Sequence, residues 1–364
     1  MRVLVVNAGS SSLKLSLLGA GDAIEQSAEL PAGPGGIDTA ALAGALRHWA
    51  RPDAAGHRVV HGGTAFTGPV LIDGAVREQL QELTDLAPLH QPKSLAALDA
   101  VTALLPGVPA VASFDTAFHA TIPAAAATYA VPREWRQRYA IRRYGFHGLS
   151  HAYCSRRAAE LLGRPLAGLR IITCHLGAGA SLAAVLDGRS VDTTMGFTPL
   201  EGLVMATRSG TVDPGLVLWL EEHEHLAPHE VATALEQHSG LLALAGTPDM
   251  REVQAAADRG DLDARLAIGV YIHRLAGGVA AMSAAAGGVD VLAFTGGVGE
   301  HSAAVRARAA GRLAFLGVAI DARRNDAVRG DGDVSADGAS ARTLVIAARE
   351  DLQIAREVRG LLGS

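Results

Sequence analysis

The stretch "VLVVNAGSSSLKLSLL", residues 3–18, opens the chain with an apolar run, breaks into small and polar residues after Asn7, and returns through Lys14 to a second apolar run. Each run has the length and apolar content of a buried strand. The small residues between them let backbone N–H groups turn toward an anion, yet the pattern is not G-x-x-x-x-G-K-[ST]. The expected element is therefore a tight β-hairpin with a phosphate-binding turn, not a strand leading into a helix.

A second stretch repeats that plan. "LRIITCHLGAGASLAAVLDGRSVDTT", residues 169–194, runs from an apolar strand into small residues around His175 and back into another strand. Asn7 and His175 lie about 168 positions apart, near half of the 364-residue chain. A repeat at that spacing predicts two related domains, each opening on such a hairpin. Elsewhere strands and helices alternate, which predicts an α/β protein. "HRVVHGG" (57–63) and "PAVASF" (109–114) read as strands, the second ending at Asp115. "AVREQLQELTDL" (75–86) sets Val76, Leu80, Leu83 and Leu86 on one helical face. The Ala-rich stretch 261–286 reads as a helix with Gly277 and Gly278 as a kink or close-packing point, and "GVDVLAFTGGVGEHS" (288–302) as strand, turn and helix start. "RGDGDVSADGAS" (329–340) reads as a surface loop.

Bulk properties narrow the function. Length favours two domains. Apolar residues are 49% and charged residues 19% of the chain, with a net charge of −5 and no Lys/Arg run of the kind that follows a nucleic-acid backbone. Cys154 and Cys174 show no C-x-x-C spacing and read as reduced, buried thiols. No signal peptide and no stretch of roughly 20 uninterrupted apolar residues is evident, so the expectation is a cytoplasmic protein without membrane or nucleic-acid partners.

With "VLVVNAGSSSLK" and "IITCHLGAGASLA" stand "GHRVVHGG", "LAPLH", "FDTAFH", "YGFHGLSH", "MGFTPLEGL", "TRSG" and "FTGGVGE". These nine strings, in the order in which they fall along the chain, resemble the acetate kinase family of the acetate and sugar kinase, Hsp70 and actin superfamily. The resemblance implies duplicated ribonuclease H-like domains flanking a nucleotide-binding cleft: residues 1–116 with 352–364, and 117–351, the latter forming a homodimer. It implies reversible phosphoryl transfer between ATP and acetate, giving acetyl phosphate and ADP, with Mg²⁺ (or Mn²⁺) as cofactor.

By resemblance, Arg58, Asp115, His147 and Arg208 are catalytic; Arg58 also binds the acyl substrate in a small pocket with Val60, Leu89, Phe146 and Pro199. The phosphates and nucleotide fall to Ser10, Ser12, Lys14, His175, Leu176, Gly177, Ala178, Gly179, Asp249, Met250, Arg251, Gly296, Gly297, Val298, Gly299, Glu300 and His301. Asn7 and Glu350 are implied as metal ligands, with Asp115 supporting them. The acceptor is a carboxylate already ionised at neutral pH, so this chemistry needs positioning and cations, not a strong base. Val60 favours acetate over propionate, since one methylene in such a pocket is worth about 1–3 kcal/mol. Three positions depart from the family, which usually carries Asn at each: Ala178, His301 and Arg349. Other short-chain carboxylate kinases, and a nucleotide-binding switch lacking acyl transfer, are the alternative readings.

Overall fold

A computed structural model describes residues 1–9, 12–31, 37–88 and 90–363. The chain divides into two compact units: Met1–Ala120 with Phe146–Tyr153 and Arg349–Ser364, and Thr121–Gly145 with Cys154–Ala348. The first unit thus takes in Phe146–Tyr153 as well as both chain ends.

The first unit is built on six strands, β1 (Val3–Ala8), β2 (Ser12–Leu18), β3 (Ile24–Pro31), β4 (Ala54–Val59), β5 (Val70–Leu71) and β6 (Ala110–Phe114), in the order β3-β2-β1-β4-β6-β5. β1, β2 and β3 form an antiparallel meander, β4 and β6 run parallel to β1, and β5 closes the edge antiparallel to β6. One sheet face buries Leu4, Val6, Leu15 and Ala55 with Ala97 and Val101 of the helix Gln91–Leu104. The other buries Val3, Val5, Leu18 and Ala54 under Ile354, Ala355 and Val358 of the helix Glu350–Leu362. Alternate residues of one strand serve opposite cores, which is why these strands read as continuous apolar runs. Gly56 lets the C-terminal helix close in, because a Cβ there would lie 2.5 Å from Ile354.

The second unit carries β7 (Arg170–Leu176), β8 (Ala180–Leu186), β9 (Arg189–Thr193), β10 (Val291–Thr295), β11 (Gly332–Asp333) and β12 (Arg342–Val345), ordered β11-β12-β10-β7-β8-β9. Read from the meander edge, this is the first sheet again: antiparallel β9-β8-β7, parallel β10 and β12, and a two-residue antiparallel strand at the far edge. The sequence echo between Asn7 and His175 marks a duplication of the entire sheet.

Two details differ from the sequence reading. The helix in 75–86 ends at Glu82 and tightens into a 3₁₀ turn over Leu83–Leu86, with Leu80 its fully buried residue. Residues 329–340 are not wholly surface loop: β11 lies within them, and Val334 and Ser335 are buried.

The long helix Leu262–Ala285, capped by Asp261, turns Ile268, Tyr271, Ile272, Leu275 and Val279 inward. Gly278 is its close-packing point, since a Cβ there would sit 2.8 Å from Leu182 Cδ1. Among the described residues this helix is the one long and apolar enough to cross a membrane, by length and composition; half of that apolar stretch is buried in the protein, and His273 and Arg274 interrupt it.

Candidate active site

In the first unit the sheet brings four polar residues onto the face covered by the C-terminal helix. Asn7 lies next to the end of β1, Arg58 near the end of β4, Asp115 follows β6, and Glu350 starts the helix. The guanidinium of Arg58 grips Asp115 in bidentate fashion, Nε to Oδ1 at 3.0 Å and Nη2 to Oδ2 at 2.5 Å. Its Nη1 reaches Asn7 Oδ1 at 3.3 Å, and Asn7 Nδ2 donates to Glu350 Oε2 at 2.9 Å. The result is one continuous network, Glu350–Asn7–Arg58–Asp115, assembled from residues up to 343 positions apart.

Its electrostatics follow from burial. Asp115 is 1% exposed, and burial pushes its carboxyl upward, against the Arg58 guanidinium and the His147 backbone N–H that both favour the anion. Burial opposes the charge on Arg58, but Asp115 and then Glu350 outweigh it and raise the guanidinium further. Arg349, one of the departures, turns away from this network and pairs with Asp351 (Nε to Oδ1 2.8 Å).

His147 has φ +56, in the left-handed region that costs a non-glycine residue about 1–2 kcal/mol. Such strain persists only where neighbours hold it. Gly148 donates its N–H to the Asp115 carbonyl at 2.8 Å, and a Cβ at Gly148 would be 2.2 Å from that oxygen. Phe146 and Val60, both buried, belong to this unit, and the His61 ring meets Phe146 edge-on at 5.5 Å.

The first hairpin forms as expected, with Asn7 opposite Lys14 and Ala8 opposite Leu13. Gly9 donates to the Ser12 carbonyl at 2.8 Å. Ser12 Oγ donates to Glu29 on β3 at 2.6 Å, while Lys14 is exposed. Ser10 and Leu89 lie outside the described residues.

The second unit repeats the hairpin between β7 and β8, with Leu176 opposite Ala180 and Gly177 N–H bonded to the Gly179 carbonyl at 2.9 Å. The turn faces a cavity of about 580 Å³, within the usual range for small-molecule sites. Of the nucleotide residues named from the sequence, Gly177, Ala178, Asp249, Met250, Arg251, Gly297, Val298 and His301 line it. Leu176 is fully buried strand, and Gly296, Gly299 and Glu300 do not line the cavity. Gly296 (φ +77) lets the helix start pass over β7, since a Cβ would be 2.8 Å from the Leu176 carbonyl oxygen. Glu300 Oε1 accepts the Ala348 N–H at 2.9 Å, and the Gly299 carbonyl accepts from Arg306 at 2.9 Å. His175 and Gly179 border the turn without lining the cavity. At the rim, Asp249 caps the helix Met250–Asp258 and pairs with Arg251, whose hydrogen bonds hold its carboxyl down at about 2.

Sequence reading missed Gln254, Tyr271 and Ser302 in the same wall. Gln254 sits one helical turn beyond Met250, a spacing that could have found it. Tyr271 comes from the long helix and carries no local signal.

Arg208 comes together with Pro199: Nη1 donates to the Pro199 carbonyl at 3.2 Å and approaches Met205 Sδ at 3.8 Å. Burial pulls its guanidinium down, with Glu236 opposing. Among the described residues no carboxylate forms an ion pair with it.

Two copies of one meander-led α/β sheet, each opening on a small-residue hairpin, define the duplicated ribonuclease H-like, actin-like ATPase class. The acetokinase family profile matches residues 37–356, and the chain belongs to that family. It is 44% identical to a protein named acetate kinase from Clavibacter sepedonicus, over 100% of this chain and 99% of that one. Its structure is similar to that of Porphyromonas gingivalis acetate kinase, with 37% identity, a TM-score of 0.90 and 99% of each chain covered. A propionate kinase from Francisella tularensis subsp. tularensis SCHU S4 is matched at 37% identity and TM-score 0.90, over 98% of each chain.

Proposed function

We propose that the protein is an acetate kinase that moves the γ-phosphoryl group of ATP directly onto acetate. One acetate oxygen attacks phosphorus, the bond to the β-phosphate oxygen breaks, and acetyl phosphate and ADP result. No proton needs to move in this direction. Two anions must be brought together, so cations placed where charge is shared lower the barrier. The observation that carries this reading is Arg208: a half-buried guanidinium, bonded to one carbonyl and a thioether, awaits an anion.

Arg58 is the acyl-binding cation, aligned by its fork with Asp115, and Asp115 is an orienting group and not a proton acceptor. Phe146, Val60, Leu89 and Pro199 enclose the acyl methyl group. Ser10, Ser12, Lys14 and the turn His175–Gly179 hold phosphates, and the wall from Asp249 to Arg251 with Gly297, Val298 and His301 takes the nucleoside. His147 and Arg208 stabilise the transferring group. The oxygen donors of Asn7 and Glu350 suit Mg²⁺, and both oxygens of Asp115 are engaged by Arg58. Among the described residues no three His, Cys, Asp or Glu side chains form a metal cluster. Phosphate oxygens and water would complete the ion's shell, and the ion would neutralise phosphate charge when bound. A cytoplasmic homodimer joined through the second unit completes the reading; Leu216, Leu218 and Trp219 of the helix Pro214–His223 leave apolar surface exposed there.

A second reading has its own support. The propionate kinase structure matches this chain as well as the Porphyromonas gingivalis acetate kinase structure does, so the fold alone leaves the acyl group open. Hydroxylamine trapping of acyl phosphate from acetate, propionate and butyrate, with ATP and Mg²⁺, tests both. Acetate is expected to lead, and Arg208→Ala to lower kcat by about 100- to 1,000-fold, the loss typical of removing one transition-state donor. Leading turnover of propionate would reassign the substrate. ATP binding without any acyl phosphate would make the protein a nucleotide switch.

A further inference from the structure

The strained turn at His147 is clamped from one short segment of chain. Asp115, at the end of β6, holds one side through its carbonyl, which accepts from Gly148, and its carboxylate, which the His147 N–H faces. Four residues on, in the 3₁₀ turn Ala117–Thr121, stands His119, 1% exposed. Its Nε2 lies 3.0 Å from the Phe146 carbonyl oxygen. A carbonyl can only accept, so His119 carries its proton on Nε2 and donates it there. The His119 ring also meets the His151 ring edge-on at 5.6 Å, and the His151 N–H donates to the His147 carbonyl at 2.9 Å. His119 therefore touches the chain just before the strained residue and again one helical turn after it.

We infer that His119 is a positioning residue for acyl transfer: its bond to the Phe146 carbonyl keeps His147 left-handed and fixes Phe146 at the acyl pocket. Neither function needs His119 to touch substrate. Without the donor, the carbonyl of Phe146 is buried and unpaired, and the peptide is free to rotate toward ordinary backbone angles. That rotation carries the His147 imidazole and the Phe146 ring away together. The nucleotide cavity shares none of these contacts, so the defect is confined to the acyl side of the reaction.

This inference rests on the acyl-kinase reading for its kinetic arm, but its structural arm does not. In crystals of His119→Leu, φ of His147 is expected to leave the left-handed region; an unchanged φ overturns the inference whatever the substrate proves to be. Absence of acyl phosphate from the wild type would instead overturn the proposed function. In the kinetic arm, His119→Leu is expected to lower kcat by about 100-fold, the scale of an ångström-level misplacement. Acetate KM should rise while ATP KM stays within experimental error. His119→Gln, whose amide nitrogen occupies the Nε2 position, should restore most of kcat; His119→Asn, one methylene shorter, should not. If Gln is no better than Leu or Asn, or if the acetate and ATP KM values rise together, His119 is merely core. Should the Leu variant fail to fold, the Gln and Asn pair decides the matter alone.

Discussion

A single methylene separates two readings of the substrate, and Val60 is the residue that sets it. It is buried and follows β4 two positions after Arg58, the cation proposed to hold the carboxylate. Shortening it to alanine opens room for about one more carbon. Val60→Ala is therefore expected to shift the ratio of kcat/KM for propionate over acetate upward by about tenfold, the lower end of what a methylene is worth. Steady-state hydroxamate assays with both acids measure it, and an unchanged ratio would remove Val60 from the acyl pocket. The departures from the family pattern can be weighed at this scale too. Arg349 is occupied with Asp351 and leaves Glu350 to Asn7, so the Glu350–Asn7–Arg58–Asp115 network forms without it. Ala178 is exposed at the hairpin tip and lines the cavity proposed for the nucleotide, where it offers a methyl group in place of an amide while the backbone of the turn is retained.

At the scale of elements, glycines separate positions that fold geometry dictates from those that tolerate change. Gly296 has φ +77 and passes within van der Waals overlap of the Leu176 backbone once a Cβ is added. Gly277 has nothing within 4 Å of its ideal Cβ and lies mid-helix. Gly296→Ala should destabilise by about 1–3 kcal/mol through strain at a position only glycine adopts freely. Gly277→Ala should stabilise by about 0.5–1 kcal/mol through helix propensity. Urea midpoints of the two variants decide the matter, and the same sign for both would show that backbone angle is not the controlling term.

The same contrast explains what was legible in the sequence. The two hairpins, β4, β6, β10 and the long helix could be read because their apolar periods and small-residue turns are local. β5 and β11, two residues each, carry no periodicity and exist because a neighbouring strand offers an edge. Asn7 and Glu350, 343 positions apart, are grouped as metal ligands by family resemblance, not by spacing, and their hydrogen bond emerges only in the structure. Tyr271 and the His119 clamp were invisible, because buried polar side chains resemble core until their partners are known.

For the molecule as a whole, the consequential buried groups are imidazoles. His57, His61 and His119 of the first unit are each lowered to about 4 by burial, His57 against a weaker upward pull from Asp99 and His119 against its bond to Phe146. In the unfolded chain each would titrate near 6.5. Between those values the unfolded state binds the extra protons, so acid favours unfolding. Their contribution to stability is fully present above about pH 6.5 and is lost progressively as pH falls toward 4. Each removes up to about 1.4 kcal/mol per pH unit in that window, so three together remove about 4 kcal/mol between pH 7.5 and 5.5. That is a large share of the about 5–15 kcal/mol that holds a typical protein folded. The upward push of burial on Asp115 acts in the opposite sense, making acid less costly there, but it is a single group against three. Urea unfolding at the two pH values should show the midpoint falling steeply, and a flat profile would mean that water reaches these rings. His57 supplies the control. It sits on β4 between Val6 and Ala112, with no hydrogen-bond partner at either ring nitrogen. Replacing it with methionine removes a buried polar group that makes no bonds, a change expected to be neutral or stabilising at pH 7.5. At pH 5.5, His57→Met should stand above wild type by about 1 kcal/mol, because one of the three proton-linked losses has been removed.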